Sequence, residues 1–131
     1  MDIDFNEIKI LGLEEEMTVE SPIRPPLRYI YLRLSATPPP IWVTYFDESR
    51  KVSRHPHWRR AWIDRKFIVV ECPPEELEKY HLADFKRDLA QANQRTVAYF
   101  EKQNFVERQK QQNDLQVLNR LKEMKGRLNF D

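Results

Sequence analysis

Glycine is almost absent from this chain: Gly12 and Gly126 are the only two in 131 residues. A glycine-rich phosphate loop, a dinucleotide-binding turn and a nucleophile elbow each need glycines at fixed spacing, because the backbone there must approach a ligand closely or turn sharply. All three are excluded. Cysteine is scarcer still, and Cys72 alone can form neither an internal disulfide nor a multi-thiolate zinc site, which fits a reducing compartment. Its place at the end of an apolar run reads as a buried, inert thiol. No apolar run approaches the roughly 20 residues that a bilayer-spanning helix needs. The acidic start Met1-Asp2-Ile3-Asp4 lacks the basic and apolar regions of a secretory signal. These absences lead us to expect a cytoplasmic protein with no membrane association, no cofactor and no structural metal.

What is present describes a folded domain. Apolar residues make up 40% and charged residues 33%, a balance too aromatic for disorder and too charged for a membrane protein. A chain of this length buries a core without covalent staples. The expectation is one domain over 1–131, sheet-rich in 1–72 and helical in 73–131. Net charge is only +1, yet it is unevenly spread. Residues 1–20 hold seven acids against Lys9, and residues 50–66 hold seven bases against Asp64, so the two segments are expected to attract one another, within one chain or between chains of an oligomer.

Apolar residues alternate from Phe5 to Glu20, with Ile8 and Ile10 on one parity and Leu13, Met17 and Val19 on the other. A bulge at Gly12 would restore a common inner face to this strand. Ser21 to Pro26 cannot pair in a central ladder and reads as a connection. A second strand follows from about Leu27 to Ala36, with Ile30, Leu32 and Leu34 on one face. Thr37 offers a capping hydroxyl, Pro38-Pro39-Pro40 suits a first helical turn, and Ile41/Tyr45 with Trp42/Phe46 at i, i+4 predict a short helix to about Arg50. Residues 51–57 read as loop, and Trp58–Ile63 with Phe67–Cys72 as a hairpin around Asp64-Arg65-Lys66.

Pro73-Pro74-Glu75-Glu76 repeats the helix-start logic with acids in the first turn. No proline follows. Leu82, Phe85, Leu89, Ala92, Thr96, Tyr99, Gln103 and Val106 form one stripe, which weakens over Gln109–Asp114 and returns beyond it. Either two helices broken near 103–114 or one of about 50 residues satisfies this pattern. The predicted fold class is α+β in ββαββα order, a four-stranded, mainly antiparallel sheet with helices on one face and a long or broken C-terminal helix. Both halves run strand, proline cluster, helix, which suggests a duplication about a pseudo-twofold.

Three functional readings follow. The first is a non-enzymatic assembly domain. A C-terminal helix longer than its sheet needs a cover for Leu115, Leu118, Leu121, Met124 and Leu128; a second copy of the chain, or another protein, would supply it, and so would a fold-back of the C-terminal section on its own domain as a helical hairpin. The second is nucleic-acid association through the basic-aromatic segment 50–66, where Arg54, His57, Arg59, Arg60, Arg65 and Lys66 interleave with Trp58 and Trp62. The plainer account of that segment is core tryptophans with arginines paired to the acidic strand. The third is a small enzyme or ligand binder with a pocket between sheet and helices, lined by Glu71, Tyr80 or His81. Glu75 and Glu76 are already explained as first-turn residues, and His55-Pro56-His57 with His81 or Cys72 matches no zinc spacing.

Overall fold

The computed structural model describes residues 4–131. Among the described residues up to Cys72, alternation of side chains produces five strands, β1 (Ile10–Leu13), β2 (Val19–Glu20), β3 (Arg28–Leu34), β4 (Ala61–Asp64) and β5 (Phe67–Cys72). They form one antiparallel sheet in the order β1-β3-β5-β4, with β2 also paired to β3. Helix α1 (Pro40–Ser49) links β3 to β4. After β5 come a short α2 (Pro74–Glu76), a π-helical turn (Leu77–His81) and α3 (Leu82–Lys125). The class is α+β, an antiparallel sheet with a long C-terminal helix.

The first strand is shorter than its alternation predicts. A 3-10 turn at Glu15–Met17 splits the expected strand into β1 and β2, so the sheet has five strands rather than four. The bulge is present: pairing moves from Ile10 opposite Leu34 to Gly12 opposite Arg33, one residue more on β1 than on β3. Gly12 does not adopt a positive φ, so the bulge makes no use of the conformational freedom of glycine.

On β3, Ile30, Leu32 and Leu34 are buried and Arg33 is exposed, as alternation requires. Strand β5 is buried at all six positions because its second face is covered as well. The Tyr31 ring meets Phe67 edge-on at 5.9 Å, and Tyr29 meets Trp62 at 5.1 Å. That double cover explains why Phe67–Cys72 reads as an unbroken apolar run. The hairpin arm before it begins at Ala61 rather than Trp58. In its turn, Arg65 takes φ 53°, a left-handed position more often given to glycine or asparagine.

In α1, Trp42 and Phe46 are fully buried and stack at 5.5 Å, while Tyr45 lies beneath the Arg95 guanidinium at 4.0 Å. Thr37 does not cap this helix. Its N-cap is Pro39, which has no side-chain cap bond, and Pro40 fills the first turn where a missing N–H costs nothing. Helix α3 runs unbroken through 103–114, which decides between the one-helix and two-helix readings.

The chain divides into two units. One is Asn6–Val97; the other contains Ala98–Asp131 together with Asp4 and Phe5. The core of the first combines the apolar face of β3 and β5 with Trp42, Phe46, Phe85, Leu89 and Ala92 from the helices. Asn93 ties this core to the chain before β1. Its Oδ1 accepts from the Ile8 N–H at 2.9 Å and from Trp42 Nε1 at 2.8 Å, while Nδ2 donates to the Ile8 carbonyl at 2.9 Å. In the second unit the Phe5 and Phe100 rings lie 6.2 Å apart.

Candidate functional site

The basic-aromatic segment folds onto acids from the helical half. Arg50 closes α1 with its side chain buried; Nη1 donates to Asp88 Oδ2 at 2.7 Å and Nη2 to the Arg59 carbonyl at 3.0 Å. Its guanidinium lies 4.1 Å from the Trp58 ring centre and 4.9 Å from that of Phe85, so the cation is held between aromatic faces. Asp88 is fully buried and also accepts from Arg54 Nη2 at 2.6 Å and Ser49 Oγ at 3.1 Å. Burial pulls the Arg50 pKa down, and the hydrogen bond to Asp88 opposes that pull. His55 Nε2 lies 2.6 Å from Asp84 Oδ2, one turn earlier on α3.

Two further carboxylates are clamped the same way. Arg59 forks onto Glu76, Nε to Oε1 and Nη2 to Oε2, both at 2.9 Å, and His81 Nε2 reaches Oε1 at 3.0 Å. Hydrogen bonding from Arg59, aided by His81, holds the Glu76 carboxyl at about 2. Burial moves His81 below its ordinary value, so the ring is neutral near pH 7 and donates to Glu76. Glu71 is buried in β5 and accepts from Ser21 Oγ at 2.5 Å, Arg24 Nη1 at 3.0 Å and Arg60 Nη2 at 3.3 Å. Burial alone would raise its pKa, but these donors outweigh it and keep the group ionised. Burial drives the Cys72 thiol up to about 12, which makes it unreactive.

Of the residues considered for nucleic-acid contact, Arg54, Arg59 and Arg60 therefore hold Asp88, Glu76 and Glu71, and Arg65 pairs with its neighbour Asp64. His57 stacks on Tyr80 at 3.9 Å, and the Lys66 carbonyl accepts from the Leu34 N–H. Among the described residues, no ion pair within the chain joins this basic segment to the acidic stretch 1–20. Glu14 of that stretch pairs instead with Arg33 on β3. A sequence signal for the true partner exists: Asp88 sits three residues after Phe85 and four before Ala92, on the buried arc of α3, where a carboxylate needs a cation beside it.

A cavity of about 530 Å³ opens between residues 7–10 and the 86–97 stretch of α3, with Lys9, Lys86 and Gln94 at its rim and Ile8 and Leu89 in its wall. Glu71, Tyr80 and His81 do not line it. Among the described residues no group of three or more His, Cys, Asp or Glu is placed to hold a metal, and no helix is long and apolar enough to cross a membrane.

The 98–125 stretch of α3 has a different character. Buried positions on α3 end at Thr96. Beyond it Tyr99, Val106, Val117, Leu121 and Met124 are all exposed, from 37% to 54% of their surface, and they fall along one side of the helix. Val106 and Val117 are eleven residues apart, about three turns, so this stripe runs nearly straight along the axis. Of the residues singled out from sequence, Leu121 and Met124 lie on it and Leu118 flanks it. Leu128 follows just past the helix end, where its N–H donates to the Met124 carbonyl at 3.0 Å. Leu115 points about 200° away from Val117 and does not share the face. Val117, Val106 and Tyr99 belong to the stripe instead.

Neither family models, nor curated proteins, nor solved structures give a match to this chain.

Proposed function

We propose that this protein is a non-enzymatic assembly module that forms a homo-oligomer through the 98–125 stretch of α3. The supporting observation is the straight stripe of exposed apolar side chains on that stretch, from Tyr99 to Met124. A soluble helix with one apolar side gains stability chiefly by burying it, and scattered surface residues would not fall in register over seven turns. A second copy brings an identical stripe of the same length. The nucleic-acid reading has less support, because phosphate would have to displace Asp88, Glu76 and Glu71 from the arginines that would bind it.

Light scattering coupled to size exclusion tests the proposal on the full chain and on Leu121→Glu/Met124→Glu. The expected result is twice the 15.9 kDa chain mass for the natural sequence and a single chain mass for the variant. A natural chain that stays monomeric at high micromolar concentration overturns it, and so does a variant that remains dimeric.

A further inference from the structure

Three places in the molecule compete for a further role. The cavity beside residues 7–10 contains Asn93, but its side-chain polar atoms are already bonded to Ile8 and Trp42, which leaves no buried group aimed at a ligand. The buried carboxylates Asp88 and Glu71 and the half-buried Glu76 are saturated by arginines. The exposed stripe of α3 carries charge in a pattern that says how a second copy must approach.

The stripe is apolar toward both ends and charged in the middle. Tyr99 and Val106 lie on one side of the centre, Val117, Leu121 and Met124 on the other, and Lys110 and Asp114 between them at the same 3–4 spacing. We infer that two copies pair antiparallel, with Lys110 of each helix against Asp114 of the other, an inference that rests on the homo-oligomer reading above. The twofold axis then passes near residue 112. That one choice sets Val106 against Val117, Gln103 against Leu121 and Tyr99 against Met124, so both apolar ends are covered together. The midpoint of Ala98–Lys125 falls at residues 111 and 112, so the same axis overlaps the two segments along their whole length, about 42 Å.

A parallel pair fails on charge. Lys110 would face Lys110 and Asp114 would face Asp114 in the closest layers. Arg120, Lys122, Lys125 and Arg127 would lie beside their own counterparts, with only Glu123 and Asp131 as acids in 115–131 to offset them. Antiparallel packing removes both clashes and opposes the two helix dipoles.

Disulfide trapping in the full chain reads the register directly, and Cys72 is buried and does not compete. After equilibration in a glutathione buffer, Tyr99→Cys/Met124→Cys is expected to run as a covalent dimer on a non-reducing gel. Each single variant is expected to stay uncrosslinked, because the two 124 positions lie about 36 Å apart along the axis and the two 99 positions about 39 Å. Asp114→Lys is expected to weaken self-association about tenfold, and Lys110→Asp/Asp114→Lys to recover it. A dimer by light scattering in which Met124→Cys alone crosslinks, or the double variant does not, overturns the antiparallel register and leaves the assembly reading standing. A monomer by light scattering with no crosslinks in any variant removes both.

Discussion

Asp88→Ala is expected to destabilise the protein by about 3–5 kcal/mol, the range found when one partner of a buried ion pair is removed. The reason is what stays behind. Asp88 is fully buried and balances Arg50, whose side chain is 6% exposed and sealed between Trp58 and Phe85. Without the carboxylate a cation is left in a low-dielectric pocket with the Arg59 carbonyl as its remaining acceptor. Arg54 loses its acceptor as well, but its side chain is 26% exposed and water can serve it. Arg54→Ala should therefore cost less, about 1.5–3 kcal/mol, since Asp88 keeps Arg50 and Ser49. Urea denaturation of the two variants checks the order; equal losses would mean that Asp88 acts only through its surface partner.

Trp42→Ala is expected to cost a similar 3–5 kcal/mol by another mechanism, the opening of a cavity. Trp42 is fully buried against Phe46, and its Nε1–H donates to Asn93. Asn93 Oδ1 still accepts from the Ile8 N–H in the variant, so no buried acceptor is orphaned and the loss is mainly packing. Trp42→Phe, which keeps most of the volume, should cost only about 1–2 kcal/mol. Thermal denaturation distinguishes the two. At about 3–5 °C per kcal/mol for a domain of this size, the alanine variant should melt some 10–20 °C lower.

These two residues mark how far sequence reasoning reached. Trp42 was identifiable because it shares an i, i+4 spacing with Phe46 after a proline cluster, and periodicity of that kind reports burial directly. The sheet strands, α1 and the helical tail were readable for the same reason. The 3-10 turn at Glu15–Met17 was not, because the alternation continues across it in sequence while the backbone leaves the ladder. Charge pairing was the harder problem. Residues 1–20 and 50–66 have opposite net charges, yet Arg50, Arg54 and Arg59 find Asp88 and Glu76, because an ion pair needs its partners at hydrogen-bond distance and that is set by tertiary packing rather than by summed charge. The exposed stripe was half visible. Leu121 and Met124 stand out by hydropathy, but Leu115 stands out equally and lies on the opposite side of the helix, and only an unbroken helix through 103–114 puts Val106 in line with Val117.

If a second copy is what covers that stripe, the order of the 105–125 segment must depend on protein concentration, because a helix with an uncovered apolar side frays in water. Hydrogen exchange measured at two concentrations about a hundredfold apart, on either side of the dimer midpoint, addresses this most directly. The account predicts strong amide protection across 105–125 in the concentrated sample and its loss on dilution, with β3 and β5 equally protected in both. Protection of 105–125 that is the same at both concentrations would contradict it.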